Sequence, residues 1–375
     1  MNRRFLAAIA TCLAAMPAIA DDAGFQAFVK GAVADAVAKH GVPAIGVLIR
    51  TAGRDTAAVA GVRALGQPTL ATNADQWHIG SNTKAFTSTL IARMVEKGEL
   101  RFDETLEEAF PAMKDMDAAY RSVTLEQLLS HTAGLPAVTT EPELGPFFAA
   151  IKGISDVRAQ RASIARTYLA KPPAGARGTF VYSNLGYILA GAIAEARTGK
   201  PWEVLVRERV FEPLGITHAG FGAPGTPGKL DQPLGHQKEG GKLVPVPAGP
   251  DGDNPPALGP AGTMHITLSD WMLFAQDQLD GVHGRGKLLR PETYRKLHTP
   301  VTVNYALGWG AKLETNGTPA VLTHTGSNGA WLAEIRIFPK HGAIVLIAMN
   351  AEDAGAKAAM DELGDAFRAK LKPYD

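Results

Sequence analysis

Phe25, Phe28, Val29, Val33 and Val37 fall at i, i+3, i+4, i+8 and i+12, one face of a helix. Gly41 and Pro43 stop it. Ile45 to Ile49 is a short apolar run rich in β-branched residues. A Gly53-Arg54-Asp55 turn leads into Thr56 to Val62, so the pair predicts a hairpin. The other end of the chain mirrors this. Ala320 to His324, Ala330 to Phe338 and Ala343 to Met349 predict three strands. Asn316-Gly317 precedes the first, and the 339–342 turn divides the last two. A closing helix carries Met360, Leu363, Phe367 and Leu371 on one face. Strands at both ends with helices between predict one antiparallel sheet built from both termini, with an inserted helical lobe, in an α+β fold.

The middle is helix-rich. Phe86, Leu90, Ile91, Met94 and Val95 make one helical face, closed by Gly98. Leu185, Ile188, Leu189, Ala192 and Ile193 make another, closed by Gly199. Residues 219–262 break the pattern, with 20 of 44 positions Gly or Pro. They predict a long surface loop, and long loops inside compact domains tend to carry function. The sheet lobe is expected at about 21–80 and 300–375, and the helical lobe at about 81–299.

The first twenty residues read differently. Arg3 and Arg4 precede an apolar stretch from Phe5 to Ala15, too short to span a bilayer as a helix. Ala18-Ile19-Ala20 then places small residues where a signal peptidase reads. A signal peptide over 1–20, cleaved before Asp21, is expected, and with it a periplasmic or secreted protein. Cleavage would remove Cys12, the single cysteine, so the mature chain would use neither disulfides nor thiol chemistry. No other stretch reaches 18 apolar residues, so no stable membrane insertion is expected.

The whole chain of 375 residues is 46% hydrophobic and 20% charged, the balance of a globular protein of two lobes or one large domain. Lys and Arg number 38 against 37 Asp and Glu, a net charge of +1. That leaves no electrostatic footprint for nucleic acid. The ten His include no His-x-x-x-His or His-x-His pair, which leaves a zinc site unsupported. No Ser sits in a Gly-x-Ser-x-Gly frame, which sets aside an α/β-hydrolase. No cofactor is implied.

Three short motifs carry candidate chemistry. Ser81-Asn82-Thr83-Lys84 opens the Phe86–Val95 helix, so Ser81 and Lys84 share a face one turn apart. A Ser hydroxyl is a weak nucleophile until a base takes its proton, and a Lys serves as that base once desolvation lowers its pKa. Read alone, the same four residues are an N-cap and a surface Lys. Tyr182-Ser183-Asn184 precedes the second helix. Tyr relays a proton when a cation lowers its pKa, and Asn supplies both a donor and an acceptor. Alone it reads as a core Tyr and a helix cap. His324-Thr325-Gly326 ends a strand and runs into Ser327-Asn328-Gly329. A bare strand edge lets backbone N–H groups approach a substrate; the bland reading is a hairpin turn. Their conjunction in this order is far more specific than any one of them.

With these three motifs the chain resembles the serine β-lactamase and penicillin-binding superfamily over nearly its whole mature length. Tyr in the middle motif resembles the class C side, with its D,D-carboxypeptidases and family VIII esterases. Leu128 to Leu135, Phe211 to Gly215, Ala261-Gly262-Thr263 and Leu307 to Gly310 look like further family landmarks. No Glu-x-x-Leu-Asn of the class A kind is present. The resemblance implies a β-lactamase/transpeptidase-like fold and an acyl-enzyme on Ser81. It implies that Lys84 and Tyr182 share the Ser81 proton, and that Asn184 binds Lys84 and substrate. His324, Thr325, Gly326 and Ser327 would form the substrate edge, with the N–H groups of Ser81 and Ser327 as oxyanion hole. The family layout also draws His131 and His236 toward the cleft.

His324 stands where most β-lactamases carry Lys. Lys holds a substrate carboxylate at neutral pH; an unperturbed His, with pKa about 6.5, is mostly neutral at pH 7 and gains charge on acidification. The expected function is therefore a secreted serine hydrolase of small-molecule esters, peptides or amides: a carboxylesterase or an enzyme acting on D-amino-acid peptides and amides. A true class C-type β-lactamase and a non-catalytic penicillin-binding or sensor protein are the alternatives.

Overall fold

The computed structural model describes residues 22–139 and 141–371. The expected signal peptide and Cys12 lie outside the described residues. The strands, in chain order, are β1 (Ala44–Thr51), β2 (Arg54–Gly61), β3 (Gln76–His78), β4 (Ala219–Phe221), β5 (His236–Glu239), β6 (Lys242–Pro245), β7 (Met264–Thr267), β8 (Gly310–Leu313), β9 (Pro319–Ser327), β10 (Leu332–Phe338) and β11 (Ala343–Met349).

The main sheet has six antiparallel strands in the order β2-β1-β11-β10-β9-β8. The β1–β2 hairpin and the three C-terminal strands are those expected from the sequence. β1 joins the two chain ends, with Val47 opposite Ile347 of β11. Alternation along β1 sorts its side chains between two cores. Ile45, Val47 and Ile49 face a core shared with the Asp22–His40 and Ala354–Leu371 helices, through Val29, Val33, Met360 and Phe367. Ala44 and Leu48 face the larger core, with Trp77, Leu268 and Trp331. Helices cover both faces, so a strand between two neighbours reads as a continuous apolar run.

The sequence did not reveal β8, a four-residue edge strand, nor the small sheet β3-β7-β4. Elements of three or four residues are too short to show a period. Residues 219–262 also differ from expectation. They hold β4, the β5–β6 hairpin turning at Gly240-Gly241, three short helical turns and no continuous loop. The glycines and prolines there build turns and carry backbone toward the sheet and the helix centre.

The Thr83–Glu96 helix runs through the middle of the helical lobe. From Thr83 to Ala92 every side chain is buried. Only one apolar face was expected; the polar side chains on the other find internal acceptors. Thr87 donates to the Pro260 carbonyl (2.7 Å), and Thr89 to that of Ala85 (2.8 Å). The Asn184–Thr198 helix packs beside it, also buried through its first eleven residues from Leu185 onward. No helix among the described residues is long and apolar enough to cross a membrane.

Candidate active site

Ser81 lies in a single 3₁₀ turn, Gly80–Asn82, that leads from β3 into the Thr83–Glu96 helix. Polar bonds pin this turn. Asn82 donates to the carbonyls of Ile79 (2.7 Å) and Ala333 (3.1 Å), and Thr83 to that of Gly80 (2.7 Å). The sheet therefore holds the turn at one end and the helix at the other. Ser81 is half-buried.

Lys84 is wholly buried one turn later. Its Nζ lies 2.9 Å from Ser81 Oγ, 2.8 Å from Asn184 Oδ1 and 2.7 Å from the Ala261 carbonyl oxygen. The Tyr182 and Tyr187 rings stand 4.8 and 5.5 Å away. Burial drives the Lys84 pKa well below its ordinary value. Asn184 begins the Asn184–Thr198 helix, capped by the Ser183 hydroxyl. Its Nδ2 donates to the Val138 carbonyl (3.2 Å), so its oxygen faces Lys84. The amide therefore has one N–H at most to offer a substrate.

Tyr182 sits against the same amine. Burial raises its pKa above the ordinary range, and a hydrogen bond to Ser81 pulls it back in part. A cation was expected to lower it; the shift runs the other way, because desolvation outweighs everything else at this phenol. Burial favours the neutral phenol here.

β9 brings the third motif alongside. Alternation puts His324 and Gly326 on one face of the strand and Thr325 and Ser327 on the other. Gly326 lies so near the nucleophile turn that a Cβ there would be 2.6 Å from the Ser81 nitrogen. One on Gly80, whose φ is +50°, would be 2.3 Å from the Ser327 nitrogen. Only glycine at both positions lets the two backbones interlock. The amides of Ser81 and Ser327 come together as the resemblance implies. The Thr325 and Ser327 side chains do not turn to the same face as Gly326. Thr325 donates to Glu334 (3.3 Å), and Ser327 Oγ is held by Glu352.

His324 is buried and spent internally. Its Nδ1 meets the Thr325 carbonyl at 2.9 Å and so donates, leaving Nε2 to accept from the Tyr305 hydroxyl at 3.2 Å. Desolvation, then the nearby Lys84, push its pKa down to about 3. The expectation that it gains charge on mild acidification is overturned: protonation at Nε2 would forfeit the Tyr305 bond inside a dry site.

Sequence reading missed the Ala261 carbonyl and Phe180, whereas the family layout had drawn His131 and His236 toward the cleft. The Ala261 carbonyl belongs to a segment singled out only as a landmark, and no side-chain pattern announces a backbone acceptor. His131 adopts φ +60° and packs its ring 4.4 Å from Tyr182, 4.8 Å from Tyr305 and 5.3 Å from Tyr187. Its Nδ1 accepts from the Ser183 N–H (3.1 Å). Phe180, half-exposed, lies 5.5 Å from Tyr305. His236 is occupied by backbone, with Nδ1 donating to the Asn350 carbonyl (2.7 Å) and Nε2 accepting from Leu65 N–H (3.0 Å). Among the described residues no group of three or more His, Cys, Asp or Glu is placed to hold a metal ion.

A fold with both chain ends in one antiparallel sheet, and a Ser–Lys–Tyr site between that sheet and a helical lobe, defines a class of serine hydrolases. The Beta-lactamase family model matches residues 29–370, and the chain belongs to that family. It is 29% identical over 329 residues to penicillin-binding protein 4 of Amycolatopsis lactamdurans, covering 83% of this chain and 82% of that one. The chain spans about half the length (53%) of several further curated relatives it matches. A D-stereospecific amidohydrolase from Streptomyces sp. superposes with a TM-score of 0.70 at 22% identity, over 90% of this chain and 97% of that one. A class C β-lactamase from Rhodobacter sphaeroides does so at 0.69 and 17% identity, over 90% and 99%. The protein is thus a serine hydrolase of the β-lactamase fold.

Proposed function

We propose that the protein hydrolyses small esters and amides, D-amino-acid amides and peptides among them, through an acyl-enzyme on Ser81. The observation that carries this is the coordination of Lys84. A neutral amine has two N–H donors and one lone pair. Asn184 Oδ1 and the Ala261 carbonyl are obligate acceptors, and Ser81 Oγ is the one partner that can give a proton. The arrangement suits a neutral Lys84 that draws the proton from Ser81.

In the first half-reaction the Ser81 proton passes to Lys84 Nζ as Oγ bonds to the substrate carbonyl carbon. The oxyanion falls between the N–H groups of Ser81 and Ser327. Removing one such donor in other hydrolases costs about 2.7–4 kcal/mol. The bond to the leaving oxygen or nitrogen then breaks, with Tyr182 passing it a proton that Lys84 restores. In the second half-reaction a water gives a proton to the same pair as its oxygen bonds to the acyl carbon, and the pair returns that proton to Ser81 Oγ as the acyl C–O bond breaks and the acid leaves.

The cluster of Phe180, Tyr305 and His131 rings beside Tyr182 supports apolar substrate groups. His324 supplies no charge for a substrate carboxylate, which supports neutral esters and amides over β-lactams. A non-catalytic role would gain nothing from an amine buried without a counter-charge, which costs stability. The basic start, short apolar stretch and Ala-x-Ala exit support export and cleavage before Asp21. Mass spectrometry after incubation with a fluorophosphonate tests the nucleophile: the adduct is expected on Ser81, and an unlabelled folded protein refutes the reading. Parallel assays on p-nitrophenyl butyrate, a D-amino-acid anilide, a D-Ala-D-Ala peptide and nitrocefin rank the substrates. N-terminal sequencing of the periplasmic fraction tests export.

A further inference from the structure

We propose that His78 and Asp253 are positioning residues that lock the two oxyanion-hole strands together. The inference rests on Ser81 being the nucleophile. His78 ends β3, two residues before the Gly80–Asn82 turn. Its Nδ1 accepts from the Gly80 N–H at 3.2 Å, and its Nε2 donates to Asp253 Oδ2 at 2.9 Å. The other carboxylate oxygen, Oδ1, accepts from Asn328 Nδ2 (2.8 Å) and from the Asn254 N–H (2.7 Å). Asn328 follows Ser327, and its own Oδ1 accepts from the Ala330 N–H (3.1 Å). The His78 and Asp253 side chains are 0% and 1% exposed.

One buried carboxylate therefore reaches both amide donors, through His78 and Gly80 on one side and Asn328 on the other. Ser81 and Ser327 each lie one residue beyond these bonds. Gly80 also lies against Gly326 and Ser327, and Gly326 against Ile79, Ser81 and Asn82; these close contacts set how near the two turns come. The carboxylate also fixes the His78 tautomer. Holding the proton on Nε2 leaves Nδ1 free to accept; a proton on Nδ1 would face the Gly80 N–H donor to donor. A buried carboxylate held by neutral donors is a poor source of stability compared with apolar packing, whereas a fully satisfied polar network holds a single geometry. Asp253 comes from the Gly- and Pro-rich 219–262 segment, and this gives that segment a place in the site.

The test measures the rate constant for Ser81 phosphonylation by a fluorophosphonate, with kcat and KM on p-nitrophenyl butyrate. Asp253→Asn keeps the shape but must oppose a donor to His78 or to Asn328 and Asn254. It is expected to lower phosphonylation and kcat about 10- to 100-fold with KM within about twofold, as misplacement of up to about 1 Å does. His78→Leu should match it. His78→Asn, whose Oδ1 falls near the Nδ1 position but whose amide does not reach Asp253, should recover at most part of the rate. Tyr294→Phe, which breaks a buried bond to Asp277 (2.6 Å) between the Pro291–His298 and Leu268–Val282 helices, is the control for mere destabilisation, with a lower Tm and an unchanged rate. Wild-type phosphonylation rates in Asp253→Asn and His78→Leu overturn the proposal alone. Failure of the wild type to label at Ser81 overturns both this and the nucleophile reading. Where the Asp253 and His78 variants do not fold, Asn328→Ala decides: it removes one donor at a turn, and an unchanged kcat overturns the proposal.

Discussion

Lys84 Nζ lies 2.9 Å from Ser81 Oγ in a site where the amine has no exposed surface, and burial alone lowers its pKa. Position and protonation state thus come from one arrangement. Ser81→Ala should abolish turnover and leave the fold intact, since a half-buried Ser in a 3₁₀ turn contributes about 1 kcal/mol. Lys84→Ala should cost about 10²–10⁴-fold in kcat/KM, the usual worth of a positioned base. Circular dichroism alongside the assay separates loss of chemistry from loss of structure.

Asn184→Asp offers a sharper test of the neutral amine. The oxygen facing Lys84 would become part of a carboxylate at 2.8 Å, which favours the ammonium form and raises the Lys84 pKa. Activity that needs the neutral amine rises with pH through that pKa. The acidic limb of kcat/KM should therefore move to higher pH in the variant, with little activity left at pH 7. An unmoved limb would show that Lys84 is not the base.

Buried histidines should make the protein acid-sensitive. Burial holds His298 and His324 down to about 3 and His265 to about 4. The unfolded chain takes up these protons near pH 6.5, and the folded one does not. Stability is therefore complete above about pH 6.5, falls as pH drops, and levels off below 3 to 4. At pH 5 each costs about 2 kcal/mol. His298→Gln, which keeps a donor toward Gln278 Oε1 (3.1 Å), should shrink the loss between pH 7.5 and 5 by about that amount in urea titrations.

Arg161 predicts a different kind of fragility. It is fully buried, bonded to Glu195 and Glu203 (2.5 Å each) and to the carbonyls of Pro256 (2.7 Å) and Ala257 (3.2 Å). Arg161→Ala strands two carboxylates and should cost about 3–5 kcal/mol. Pro256 and Ala257 lead into the Ala261 carbonyl that binds Lys84, so kcat should fall as well. Arg161→Lys cannot replace the fork and should recover little. Denaturant titration and kcat on the same preparations check both effects.

What was legible in the sequence follows period and motif. The Val29–Val33 helix face, the β1–β2 hairpin and the β9–β11 strands show repeats long enough to read. Ser81, Lys84, Tyr182 and Asn184 carry chemistry in their side chains at fixed spacing, and the structure brings them together. β8 and the β3-β7-β4 sheet are too short to show a period. The Ala261 carbonyl and the Gly80–Ser327 approach are backbone features set by distant segments. The Thr83–Glu96 helix hid its full burial because Thr87 and Thr89 look solvent-facing until their carbonyl partners are placed. His324 was placed correctly on the strand. Its neutrality at pH 7 was read correctly too; its gain of charge on acidification was not, because Tyr305 and the Thr325 carbonyl, which occupy both ring nitrogens, come from the fold.

That occupancy fixes the last prediction, on substrate charge. A cation at position 324 would attract a carboxylate by a few kcal/mol at contact, taking an effective dielectric near 20. The neutral ring, with Nδ1–H on a carbonyl and Nε2 on Tyr305, offers none of this. With its pKa near 3 it stays neutral throughout pH 5 to 8. The ratio of kcat/KM for nitrocefin, which bears a carboxylate, to that for a neutral p-nitrophenyl ester should therefore stay flat across that range, after the shared Lys84 dependence cancels. His324→Lys places an amine on the Gly326 face of β9 and should raise the ratio at least tenfold, chiefly through KM for nitrocefin. A ratio that climbs on acidification in the wild type would mean that His324 does titrate in the site. A ratio unmoved by the Lys substitution would mean that position 324 does not govern substrate charge, and the preference for neutral esters and amides would need another cause.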